Sequence, residues 1–252
     1  MFDIMAESST RIKTGVALVV GLLIIGFIDS FFLTWVLFGG LMLVAINEAM
    51  RLFKVDEDSI YVYAIIMWIV AYFYPKPEDL IFVVGIVFAS ILAYTKNLNK
   101  ELFLPLMYPM ASFLFLLSLY ISFGMESLLW LLVVVAGTDV GAYFVGKSIG
   151  ATKFCETSPN KTLEGVAGGI VTAAILGVTF SPESIGFFTA FIISFVVAIA
   201  SVFGDLFESY LKREADIKDS GDILPGHGGI LDRTDGYLFG GIVMLILLRF
   251  IS

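Results

Sequence analysis

The segment Ser209–Asp235, SYLKREADIKDSGDILPGHGGILDRTD, concentrates charge in an otherwise oily chain. It carries the cations Lys212, Arg213, Lys218 and Arg233, the carboxylates Asp216, Asp219, Asp222, Asp232 and Asp235, and the single histidine, His227. Gly221, Pro225, Gly226, Gly228 and Gly229 prevent its second half from forming one regular helix. These residue types suit a metal-bound phosphate. Lys and Arg neutralise oxygens, Asp holds a hard divalent ion, and glycine lets backbone N–H groups approach an anion. A charged loop between two membrane helices is the plainer reading of the same composition.

Three other places offer chemistry. Asp139 lies within LLWLLVVVAGTDVGAYFVGK, an apolar run whose only other charge is the terminal lysine. An ionisable group inside a span costs at least ~2.5 kcal/mol and normally faces the bundle interior or a wet cavity. Tyr143 is four residues on, on the same helix face, and Gly137 and Gly141 permit close helix contact. The block Ser158-Pro159-Asn160-Lys161-Thr162-Leu163-Glu164-Gly165 precedes another apolar run. Its Ser, Asn, Lys and Thr suit a phosphate at a helix N-terminus, and Thr162 and Glu164 equally suit a helix cap. Finally, Asp205, Ser209 and Lys212 share one helix face, while Glu208 and Lys212 have ion-pair spacing. Asp139, Asp205 and Asp232 each stand near one end of a span, so packing those spans together would gather like charges that a divalent ion resolves.

The elements that must position these residues are membrane helices. Of 252 residues 59% are hydrophobic and only 15% charged, with a mean hydropathy of +0.96; soluble domains carry about 25% charged residues. The chain is expected to be an all-α polytopic integral membrane protein. Nine apolar runs are long enough to be candidate spans, at 14–28, 31–50, 59–74, 79–95, 103–123, 127–146, 163–180, 184–207 and 235–251. The first is expected to be a retained helix rather than a signal peptide. With a cytoplasmic N-terminus, the inside segments hold thirteen of the fifteen basic residues, and only Lys76 and Arg249 fall outside. That bias predicts an N-in, C-out chain with both long polar segments in the cytoplasm. It divides into N-terminal membrane helices over 1–122 and a catalytic membrane domain over 123–252, with loops 147–162 and 208–234. Asn47 and Glu48 fall at the end of the second run and read as interfacial. The lone Cys155 excludes an intramolecular disulfide and reads as an inert small residue. The net charge of −8 does not indicate partners, and no nucleic-acid partner is expected.

Together the blocks resemble the phosphatidate cytidylyltransferases, or CDP-diacylglycerol synthases. The family signature runs Ser, two residues, Lys-Arg, four residues, Lys-Asp, then Leu-Pro-x-His-Gly-Gly, two residues, Asp-Arg-x-Asp. It is met by Ser209, Lys212, Arg213, Lys218, Asp219, Leu224, Pro225, His227, Gly228, Gly229, Asp232, Arg233 and Asp235. Asp139-x-Gly141-Ala142-Tyr143-x-x-Gly146 and Ser158–Gly165 also agree; Val140 departs where relatives often have Thr or Ser. The first half is similar only as a set of hydrophobic spans. The resemblance implies transfer of the cytidylyl group of CTP to phosphatidate, giving CDP-diacylglycerol and pyrophosphate, with Mg²⁺, a second cation being an open possibility. It implies Asp205 and Asp232 as metal positions, with Asp139 and Asp219 close by. Lys212, Arg213, Lys218 and Arg233 would bind phosphates, with His227 and Asp235 also in the catalytic set. Tyr143, Ser158, Asn160, Lys161, Thr162, Glu164, Ser209, Gly228 and Gly229 would contact substrates. A homodimer in the inner, cytoplasmic membrane is also implied, among membrane lipids, with its active site facing the cytoplasm. Two other readings stand beside it: a CTP-dependent kinase or cytidylyltransferase acting on another lipid, and a cation-coupled transporter.

Overall fold

The computed structural model describes residues 15–16, 19–226 and 228–252. Eight α-helices account for most of them: α1 (Val19–Ile28), α2 (Phe31–Leu52), α3 (Ser59–Phe73), α4 (Leu80–Thr95), α5 (Phe103–Ile149), α6 (Leu163–Phe180), α7 (Phe187–Ala215) and α8 (Leu231–Ile251). Among the described residues there is no strand, only two isolated bridges in polar loops. The chain is therefore all-α, and six of its helical stretches are long and apolar enough to cross a bilayer. One of these, Lys100–Ile149, contains a non-helical residue, Gly124 (φ 74°), and so carries the two runs expected at 103–123 and 127–146. The run expected at 59–74 forms α3, and the run expected at 14–28 lies partly outside the described residues, with Val19–Ile28 helical. Among the described residues, the six stretches that meet both length and hydropathy thus correspond to seven of the nine expected runs.

The helices form two compact units. The first takes the chain up to Ser118 together with Glu214–Arg233; the second takes Leu119–Arg213 and Thr234–Ser252. In the first unit, α2 and α3 are joined by reciprocal hydrogen bonds. The Trp35 Nε1–H donates to the Trp68 carbonyl at 3.0 Å, and the Trp68 Nε1–H donates to the Trp35 carbonyl at 3.1 Å. The Trp68 ring lies against Gly39, where any Cβ would collide with it. Lipid offers no hydrophobic drive for helices to associate, so packing and such polar ties must hold them together.

The second unit uses small residues in the same way. A Cβ on Gly141 would fall 2.7 Å from Thr172, and one on Gly165 would fall 2.9 Å from the Ala142 carbonyl and 3.0 Å from Gly146 Cα. The backbones of α5 and α6 therefore touch, as the Gly137 and Gly141 spacing predicts. Earlier in α5, the buried Trp130 Nε1–H donates to Ser194 Oγ on α7 at 3.0 Å. Gly204 of α7 abuts the Asp235 carbonyl of α8, leaving no room for a side chain.

Candidate active site

In the second unit, residues from separate parts of the sequence converge. The segment between α5 and α6 folds back as a small hairpin: the Phe154 N–H donates to the Lys161 carbonyl and the Leu163 N–H to the Thr152 carbonyl, both at 2.9 Å. Thr162 caps α6, its Oγ1 accepting from the Gly165 N–H at 3.1 Å. The Glu164 carboxylate accepts from the backbone N–H groups of Ala151 and Thr152 at 3.1–3.2 Å. Thr162 thus takes the capping role its position offered, while Glu164 ties the helix start to the hairpin.

This anchoring delivers Lys161 to Asp205. The two form an ion pair whose side chains are 25% and 31% exposed. Asp205 also accepts from the Ser209 hydroxyl at 3.3 Å, as their shared helix face predicts. Asp235 of α8 lies close enough to Asp205 and Asp139 to feel both charges, with Glu208 within side-chain hydrogen-bonding reach. Four helices or their connections therefore bring Asp139, Lys161, Asp205 and Asp235 into one neighbourhood. Glu208 pairs with Lys212, as their spacing predicts. Its side chain is fully buried, with Lys212 Nζ at 3.3 Å.

Tyr143 is exposed on α5, with Lys147 Nζ 5.6 Å from its ring centroid. Ser158 is half-buried and Asn160 exposed, both in the hairpin. Arg213, Lys218, Asp219 and Arg233 are exposed. His227 lies outside the described residues.

In the first unit, Ser220–Leu231 closes on itself. The Leu224 N–H donates to the Gly228 carbonyl at 3.0 Å, with Gly226 and Gly228 at φ 77° and 81°, conformations that favour glycine. Asp232 Oδ2 accepts from the Ser220 N–H (2.8 Å), the Ser220 hydroxyl (2.9 Å) and the Gly229 N–H (2.8 Å). A Cβ on Gly228 would fall 2.8 Å from that same oxygen, so the Gly-Gly pair is shaped around the Asp232 carboxylate.

Glu48, read as interfacial from its position at the end of a span, is instead buried, with 2% exposure. Its carboxylate accepts from the Ser220 hydroxyl (3.1 Å) and from the N–H groups of Ile230 (2.9 Å) and Leu231 (2.8 Å). Sequence reasoning missed it because its partners are mostly backbone groups. The available signal was its place on the buried face of α2 beside Ala45 and Ala49.

The donors at hand for a metal are carboxylate oxygens, the chemistry of a hard divalent cation. Among the described residues no three His, Cys, Asp or Glu side chains form a ready cage. Mg²⁺ requires no such cage, because it is usually held by one or two carboxylates plus substrate phosphates. In the second unit Asp205, with Asp139 and Asp235 close by, can supply such oxygens; in the first unit the hydrogen-bonded Asp232 can.

The chain matches the model of the "Cytidylyltransferase family" over residues 9–251. It is 45% identical over 249 residues to a phosphatidate cytidylyltransferase of Helicobacter pylori, covering 98% of this chain and 94% of the relative. A phosphatidate cytidylyltransferase of Thermotoga maritima is 32% identical over 239 residues, with 86% and 87% covered. One from Bacillus subtilis is 47% identical over 134 residues, covering 52% of this chain and 50% of the relative. With a family match running almost from end to end and a relative this similar over nearly the whole chain, the chain belongs to the cytidylyltransferase family.

Proposed function

We propose that this protein transfers the cytidylyl group of CTP to phosphatidate, producing CDP-diacylglycerol and pyrophosphate. A phosphate oxygen of phosphatidate attacks the α-phosphorus of CTP, and the bond from that phosphorus to the bridging oxygen breaks as pyrophosphate leaves. Such a transfer requires alignment and charge neutralisation more than covalent participation by the protein. The observation that carries the reading is the meeting of Lys161 with Asp205, near Asp139 and Asp235, in a relative of phosphatidate cytidylyltransferases.

Lys161 leaves Asp205 for the CTP phosphates, with Ser158, Asn160 and Thr162 lining the nucleotide entrance. Lys212, Arg213, Lys218 and Arg233 neutralise the triphosphate and the lipid phosphate. Asp205 and Asp232 are the positions that hold Mg²⁺, with Asp139 and Asp219 contributing. The bound ion supplies charge neutralisation at the phosphate oxygens. The Ser220 and Gly229 donors fix the Asp232 carboxylate, so its orientation is set before substrate arrives.

The protein works as a multi-pass protein of the inner membrane, with its polar segments in the cytoplasm where CTP is found, and as a homodimer. The test is to incubate purified protein with CTP, Mg²⁺ and phosphatidate in mixed micelles and to measure pyrophosphate and lipid product together. Stoichiometric pyrophosphate with a CDP-lipid is the expected result. Release of CDP would make the protein a lipid kinase, and the absence of turnover with phosphatidate would remove it as the substrate.

A further inference from the structure

Glu48 comes from the half of the chain outside the quoted signature blocks, yet its carboxylate reaches into the signature segment. It accepts from the N–H groups of Ile230 and Leu231 and from the Ser220 hydroxyl. That hydroxyl is also 2.9 Å from Asp232 Oδ2. A serine has one hydroxyl proton, so the two carboxylates share a single donor. The fit around Glu48 is close, since a Cβ on Gly221 would fall 2.5 Å, and one on Gly229 2.6 Å, from its Oε1. Two of the segment's glycines are therefore adapted to Glu48, just as Gly228 is adapted to Asp232.

We infer that Glu48 is a positioning residue for the reaction: it clamps the start of α8 and, through Ser220, sets the orientation of the Asp232 carboxylate. When Asp232 is drawn toward a cation, the Ser220 hydroxyl turns to Glu48, so the serine is not left unpaired. Glu48 itself touches neither substrate nor metal. The inference rests on the reading above that Asp232 belongs to the catalytic centre.

Glu48→Gln keeps the shape but replaces one oxygen by an amide nitrogen. Because both carboxylate oxygens accept backbone N–H groups, that nitrogen must face a donor. The experiment places a cysteine at Ile230 in a C155S background and measures its labelling by a thiol reagent in detergent. A cysteine at Ala198, buried on α7, is the control. Turnover is measured in parallel as Mg²⁺ is titrated.

E48Q is expected to speed labelling at position 230 at least tenfold, leave position 198 protected, and raise the Mg²⁺ needed for half-maximal turnover. S220A, which deletes only the shared hydroxyl, is expected to raise the Mg²⁺ requirement with little change in labelling. It carries the test if E48Q fails to accumulate. Wild-type labelling at 230 in E48Q, or an unchanged Mg²⁺ requirement in both variants, overturns the inference. D232N is run alongside. Full activity there would remove Asp232 from the catalytic centre, while labelling at 230 would still decide whether Glu48 clamps the segment.

Discussion

Replacing Lys161 by alanine separates its pairing role from its catalytic one. In the structure its ammonium is paired with Asp205, and both side chains are about a quarter to a third exposed. Ion pairs in water-exposed settings typically contribute about 0–1 kcal/mol, so the thermal midpoint in detergent is expected to move little. A charge-assisted hydrogen bond to a phosphate is worth about 1.5–3 kcal/mol. With 1.4 kcal/mol per factor of ten, kcat/KM for CTP should fall roughly 10- to 150-fold. The assay is pyrophosphate release with CTP varied at fixed phosphatidate and then the reverse, with thermal unfolding followed in the same micelles. The loss should appear mainly in the CTP titration, and Lys161→Arg should recover part of it. An unchanged CTP dependence would refute the reasoning and leave Lys161 as a structural counter-ion. So would a fall in stability large enough to explain the lost activity.

Asp232→Asn and Asp205→Asn should each abolish pyrophosphate release while the protein still purifies as a folded species, checked by gel filtration and circular dichroism. Near-normal turnover in either variant removes that residue from the metal site. Cys155, half-buried in the hairpin between α5 and α6, is a built-in reporter of topology. An impermeant maleimide should label it in permeabilised but not in intact cells, and labelling in intact cells would reverse the assigned orientation. Gly169→Val drives a side chain into the Thr138 carbonyl and Ala142 of α5. It should cost at least about 1–3 kcal/mol and lower the thermal midpoint, whereas Gly40→Ala, facing open space, should not.

Hydropathy made the helices legible, since a bilayer leaves the backbone little choice but to satisfy itself within each segment. The break at Gly124 was readable from the short polar interruption around it, and the bounds of α3 from its apolar run. The charged blocks were equally visible, because charge in an oily chain is expensive and needs a reason. Which block meets which was another matter. Lys161 and Asp205 are far apart in sequence and share no periodicity, so only the fold reveals their pairing. Glu48 was harder still. Its partners include main-chain N–H groups at positions 230 and 231, and a backbone donor has no side-chain signature.

What the fold adds is the reason glycines accompany the carboxylates. Asp139 lies two residues before Gly141, which crosses α6 at Thr172 and Gly169. Asp205 follows Gly204, which abuts the Asp235 carbonyl, and Asp235 is itself followed by Gly236, packed on Ser201 and Val135. Each of these three aspartates thus sits beside a point where two helix backbones nearly touch. In lipid, such crossings are the available way to bring helices close, and they shorten the distance that a short aspartate side chain must span. Aspartate at these crossings keeps its carboxylate near the backbone, and few rotatable bonds are left to order. Enlarging any of these glycines would therefore push carboxylates apart as well as loosen helices. Activity should then fall further than stability alone accounts for, and Gly204→Ala, measured for both, is the variant in which the two effects separate.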